Sequence, residues 1–220
     1  MVGNLLAMPV RKIPKNYNVI TGIAATHKAE GEAAYEGDLE RDFIKLMTFS
    51  EDVLKFEVQP VKIIYTDPEG KSRSYTPDIL VTFKDDRKPL LVEVKSRRFI
   101  KKNWKELKPK FRAGIRFARE RGYKFKIVSE VEIRTPYRDN VVFLLRHRHL
   151  LENESDTSLL LQMLSELGEA TPETLLDAIT DDKWRKAYLI PSLWQLVATH
   201  RVCANLEERL TMRCRIWPVG

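Results

Sequence analysis

Asp78 follows a proline in Tyr75-Thr76-Pro77-Asp78-Ile79-Leu80-Val81, and after fourteen intervening residues Glu93 and Lys95 flank Val94 in Leu91-Val92-Glu93-Val94-Lys95. Both stretches carry the apolar, β-branched pattern of strands. Side chains alternate along a strand, so Glu93 and Lys95 project from one face while Val92 and Val94 pack on the other. A hairpin joining the two stretches brings Asp78 beside Glu93. Two converging carboxylates make an oxygen-rich pocket of the kind Mg²⁺ prefers, with positions left for water and phosphate; Mn²⁺ can substitute. A cation held there polarises a phosphodiester oxygen and lowers the pKa of a bound water for in-line attack on phosphorus. Lys95 either orients or deprotonates that water or stabilises charge on the pentavalent phosphorus, and the sequence leaves both roles open. Glu-x-Lys alone recurs in unrelated strands. Its weight here comes from the upstream Pro-Asp, a helical acid at Glu40 and a basic segment that follows.

The elements that must position these groups can be read outward from them. Leu39, Phe43, Leu46 and Met47 recur at helical spacing after Gly37, with Asp38 expected as N-cap, and this stripe turns Glu40 toward the sheet's edge. Val58 to Tyr65 reads as a strand, Asp67-Pro68-Glu69-Gly70 as a turn, and Ser72 to Phe83 as one returning strand. After a charged turn, Leu90 to Val94 reads as a central strand buried on both faces. Trp104, Leu107, Phe111, Ile115 and Ala118 predict a helix that starts near Pro109; Phe125 to Val128 is the next strand, and Asp139 to His149 another helix. The expected order is αβββαβα around one mixed sheet.

A chain of 220 residues has room for one substantial α/β domain and a smaller second one. With 43% apolar and 31% charged residues it is neither a disordered chain nor a membrane protein, and Met1 to Val10 lacks the layout of a secretory signal, so a cytoplasmic location is expected. Cys203 and Cys214 have no metal-ligand spacing and read as reduced thiols. The net charge is +7, yet Lys95 to Lys126 alone holds fourteen Lys and Arg against two acids. Such concentration is the footprint of a polyanion site, because neutralising phosphates releases condensed counterions. The candidate DNA contacts are Arg97, Arg98, Lys101, Lys102, Lys105 and Lys108, joined by Arg11, Lys12 and Lys15 in a basic, turn-rich arm spanning residues 1–36.

The main domain is expected over 37–152, ending in a polar, acidic stretch, and the second over 153–220. The second domain reads as a helix from Leu159 to Leu167, a helix from Pro172 to Ile179 capped by Thr171, a helical stretch from Lys183 to His200 kinked or broken at Pro191, and two short β runs. That is the layout of a winged helix. Trp184, Tyr188 and Trp194 are expected in its core. Residues 151–220 hold seven Lys and Arg against eleven acids, a balance that favours a protein partner over DNA.

Gly37-Asp38-Leu39-Glu40-Arg41-Asp42-Phe43, Val58-Gln59-Pro60, Tyr75-Thr76-Pro77-Asp78 and Val92-Glu93-Val94-Lys95, taken together, resemble the successive motifs of TnsA, the endonuclease subunit of heteromeric cut-and-paste transposases. The resemblance implies a restriction-endonuclease-like PD-(D/E)xK fold, a mixed sheet flanked by helices, followed by the winged-helix-like domain. It also implies a nuclease that cuts the 5′ ends of a transposon and is associated with the bacterial nucleoid when active. An RNase H-like transposase subunit would cut the 3′ ends, and an ATPase regulator, contacted through the C-terminal domain, would license both. Glu40 matches the family's helical catalytic acid, Asp78 its metal-binding aspartate, Glu93 the position that is Glu or Gln, and Lys95 the catalytic lysine, so Glu40, Asp78 and Glu93 are the implied metal ligands. Gln59 matches a recurring Gln with a supporting place near the metal or scissile strand, and reads equally well as an amide bonding backbone at a strand edge. Two other readings stand beside this one: a free-standing restriction or repair nuclease of the same fold, and a non-catalytic adaptor bridging DNA to an ATPase.

Overall fold

The structure is a computed structural model, in which residues 21–220 are described; Arg11, Lys12 and Lys15 lie outside them. The chain divides into two compact units after Ile133. In the first, β1 (Thr21–Ile23) and β2 (Ala34–Glu36) pair antiparallel. This ribbon belongs to the stretch expected as an arm, and part of that stretch is built into the fold. Ala29 bridges to Phe56, and buried Lys28 donates from its ammonium to the Ser50 carbonyl instead of facing solvent. An otherwise open strand edge is thereby covered.

Helix α1 (Asp38–Phe49) has Gly37 as its N-cap, so Asp38 is its first residue rather than the cap. Asp38 and Glu40 lie in the first turn, where the helix dipole favours negative charge, and Phe43, Ile44, Leu46 and Phe49 are buried. The strand expected from Val58 to Tyr65 is instead two, β3 (Val53–Val58) and β4 (Ile63–Thr66). Between them Gln59 adopts a left-handed backbone, φ 50°, and Pro60 has no N–H to donate to a ladder. The strand expected from Ser72 to Phe83 divides likewise, at Thr76-Pro77-Asp78, into β5 (Ser72–Tyr75) and β6 (Ile79–Phe83). β4 and β5 form a hairpin of their own.

The central sheet has the order β3-β6-β7-β8, with β7 (Leu90–Val94) antiparallel to β6 and parallel to β8 (Lys124–Val128). Leu91, Val92, Glu93 and Val94 are all buried, as expected for a strand covered on both faces. The parallel step is made through α2 (Arg97–Glu120). This helix runs through Pro109, and its irregularity falls at Asn103 instead. The buried stripe Leu107, Phe111, Gly114 and Ala118 continues across the proline, so packing outweighs the local cost. A short α3 (Glu130–Ile133) closes the unit.

The second unit contains α4 (Pro136–Leu145), α5 (Glu154–Leu167), α6 (Pro172–Ile179), α7 (Lys183–Ala198) and the antiparallel pair β9 (Val202–Ala204) and β10 (Ile216–Pro218). Thr171 caps α6 in a reciprocal capping box with Thr174, and α7 continues through Pro191 without a break. Composition placed the boundary near residue 152, whereas α4 belongs with the helices that follow it. Its buried Asn140 donates to the carbonyls of Leu206 and Glu208 and accepts from the Leu210 N–H. The core takes Leu189, Leu193, Trp194, Leu196 and Val197 from α7; Trp184 and Tyr188, expected there, are 75% and 61% exposed, with Lys183 and Arg185 against their rings. Among the described residues no helix is long and apolar enough to cross a membrane.

Candidate active site

Asp78 stands immediately before β6, and its backbone is held at both ends: its N–H donates to the Val92 carbonyl (3.1 Å) and its carbonyl accepts from the Gln59 N–H (2.7 Å). Its carboxylate Oδ2 accepts from the Val94 N–H at 2.7 Å and from Lys95 Nζ at 3.3 Å. Lys95 follows the last residue of β7, with its N–H donated to the Val128 carbonyl (3.0 Å). Its ammonium lies 3.5 Å from Glu93 Oε1 and 3.9 Å from Glu40 Oε1, and donates to the Val94 carbonyl at 3.1 Å. Glu93 Oε2 accepts from the Tyr75 hydroxyl (2.7 Å), and Glu40 Oε2 from the Glu36 N–H (2.8 Å). Glu40, Asp78, Glu93 and Lys95 are therefore brought together from α1, the lead into β6, and β7.

Burial sets the electrostatics of this cluster. It pushes Glu40 up to about 7, with the charge of Asp78 adding to the effect and the Glu36 N–H and Lys95 opposing it. It pushes Glu93 up to about 7 as well, again with Asp78 adding and with Lys95 and the Tyr75 hydroxyl opposing. Asp78 is raised by burial against the pull of Lys95 and the Val94 N–H. For Lys95, burial alone would favour the neutral amine, but the charges of Asp78, Glu93 and Glu40 outweigh it and hold the ammonium. Three acids thus share one lysine. Among the described residues no group of three or more His, Cys, Asp or Glu side chains is spaced as a ready-made ion cage; these carboxylates lie around Lys95 Nζ.

The cluster opens into a cavity of about 490 Å³ that also takes in Glu36, Gln59, Lys62, Tyr75, Phe99 and Lys110. Gln59 is 8% exposed, and its Oε1 is buried and accepts no hydrogen bond from the described protein groups. Its left-handed backbone is unusual for a residue with a side chain, and such strain concentrates at functional sites. Glu36 and Tyr75 were not singled out from sequence. Glu36 sits four residues before Glu40, a spacing that points to proximity, whereas the approach of Tyr75 depends on a hairpin that leaves the main sheet. Arg97, Arg98, Lys101, Lys102, Lys105 and Lys108 are all exposed on α2, which begins two residues after Lys95. Arg97 is also tied locally, its N–H to Glu130 and its guanidinium 3.7 Å from Glu132.

Comparison with protein families gives two matches. A model described as TnsA-like endonuclease N terminal matches residues 50–130, and one described as TnsA endonuclease C terminal matches residues 132–206. A search of curated proteins gives no match. The two models meet beside the division between the compact units, and together they cover most of the chain. Glu40 precedes both matched spans, so its place in the site rests on the geometry alone. A mixed sheet flanked by helices and two family models in the expected order agree: the chain belongs to the TnsA family of transposon endonucleases, which hydrolyse DNA, and its first unit is restriction-endonuclease-like.

Proposed function

We propose that this chain is the subunit that cuts the 5′ ends of a transposon within a heteromeric transposase, acting at the nucleoid with a divalent cation, Mg²⁺ by preference and Mn²⁺ as a substitute. The observation that carries the reading is the placement of three carboxylates from separate elements within 4 Å of the single Lys95 ammonium. A set of acids raised by burial, with the charge of Asp78 adding to the rise of Glu40 and Glu93, is unfavourable for a purely structural module, which disfavours the adaptor reading.

The donor set fits a hard divalent cation: Glu40, Asp78 and Glu93 supply carboxylate oxygens, and Gln59 adds a buried amide oxygen without a donor among the described residues. When bound there, the ion supplies charge to a phosphodiester oxygen and acidity to a water. The protein's own contribution is positional. The Val94 N–H fixes one Asp78 oxygen, and Lys95 carries positive charge to the cavity, where it orients a water or stabilises the charge that develops on phosphorus. The N-terminus of α2 and its row of exposed cations begin beside the cavity and bind the flanking phosphates.

The second unit, with α5, α6, α7, the β9–β10 hairpin and a bridge from Ala170 to Ile216, is read as winged-helix-like. Counted from Arg134 it holds eleven Lys and Arg against twelve acids, so charge alone no longer argues against DNA. The exposed Trp184 and Tyr188 support a protein partner, with the ATPase regulator the best candidate. The test is strand-specific cleavage of labelled transposon-end DNA with Mg²⁺, the RNase H-like transposase subunit and the ATPase. Asp78→Ala and Lys95→Ala should each lower 5′-end cutting by about a thousandfold or more while 3′-end cutting persists. Undiminished 5′ cuts in both variants would reject the site.

A further inference from the structure

We infer that Tyr75 is a positioning residue for Glu93: its hydroxyl claims one carboxylate oxygen and leaves the other as the single oxygen that Glu93 presents to a cation. The inference rests on the proposed metal-dependent reading and adds a residue to it. Tyr75 ends β5, in a hairpin outside the central sheet, and its side chain is 6% exposed. The ring belongs to the core cluster formed by Ile63, Tyr65, Leu91 and Ala113, so β4, β7 and α2 all bear on it. Gly114 of α2 lies so close that a Cβ built there would meet Tyr75 Cε1 at 3.1 Å. The ring has little room to rotate or slide.

The hydroxyl of this immobilised ring donates to Glu93 Oε2 at 2.7 Å, whereas Oε1 is the oxygen near Lys95, at 3.5 Å. The two oxygens of Glu93 are therefore differentiated by the fold. Without the Tyr75 hydroxyl, Oε2 would lack that donor, and the carboxylate would be free to rotate or to offer both oxygens. Partners that orient a metal-binding carboxylate commonly alter metal affinity by about tenfold to a hundredfold.

Calorimetric titration of Mn²⁺ into the full chain tests this, comparing wild type with Tyr75→Phe and with Tyr65→Phe as a control for aromatic packing in the same cluster. The expected result is about tenfold weaker binding for Tyr75→Phe and wild-type binding for Tyr65→Phe, with metal-free melting temperatures close to wild type in both. Wild-type affinity in Tyr75→Phe would overturn the inference. An equal loss in the two variants would do so too, by tracing the effect to the cluster rather than to the hydroxyl. If wild type itself binds no Mn²⁺, the proposed metal-dependent function fails, an outcome distinct from either.

Discussion

The two units differ in how their buried acidic and amide side chains are grouped. In the second, the buried polar side chains stand apart, each with a partner of its own: Asn140 ties α4 to the segment at 206–210, Gln195 donates to the Leu150 carbonyl, Thr157 to the Asn153 carbonyl, and Asp156 meets Arg185 through one oxygen, its other oxygen having no hydrogen-bond partner among the described residues. In the first, Glu40, Asp78 and Glu93 crowd one another around a single lysine, beside a buried Gln59 oxygen without a donor among the described residues. Singly partnered groups hold chain segments in place; acids crowded around one cation hold chemistry at a cost in stability. The contrast separates structural from functional burial without reference to any family.

Changing one residue in each unit should therefore give effects of opposite sign. The largest is expected in the second unit, where Asn140→Ala removes three hydrogen bonds to backbone groups of the 206–210 segment. Thermal or denaturant unfolding should show a loss of about 2–3 kcal/mol, with Mn²⁺ binding unchanged. A neutral result would mean that α4 is held mainly by its apolar contacts.

A smaller effect, and a gain, is expected from Glu93→Gln without metal. With a folded pKa of about 7 against an ordinary 4.5, Glu93 is protonated in both folded and unfolded chains at low pH and costs nothing there. As pH rises from 4.5 to 7 the unfolded chain gives up its proton first, so stability falls; above 7 the full penalty is present. The variant should thus exceed wild type at pH 8 and differ from it little near pH 4. Melting curves across that range measure it, and a stability difference that does not grow with pH would remove burial strain from the account.

What was legible in the sequence was local. The shared face of Glu93 and Lys95 follows from strand alternation, the burial of β7 from its nearly continuous apolar run, and the cap at Thr171 from the Pro172 that follows it. Long-range pairing was not legible. Runs through Gln59-Pro60 and Thr76-Pro77 look continuous by composition, yet each turns out of the sheet there, and that turn creates the hairpin that delivers Tyr75. Lys28 counts as a basic arm residue until the Ser50 carbonyl is seen to receive it. The place of α4 depends on bonds from Asn140 to residues 66 to 70 positions away, which no local pattern carries. Trp184 and Tyr188 share helical spacing with Trp194, and only the packing of α7 shows which aromatic is covered.

The measurement that bears most directly on the central claim, that Glu40, Asp78, Glu93 and Lys95 form one metal-dependent site, is thermal unfolding of the full chain with and without millimolar Mg²⁺ or Mn²⁺. A ligand that binds only the folded state raises its melting temperature. Wild type should therefore be stabilised by metal, and Asp78→Ala should show no shift while melting at least as high as wild type without it. No metal-induced shift in wild type, or an equal shift in Asp78→Ala, would contradict the claim.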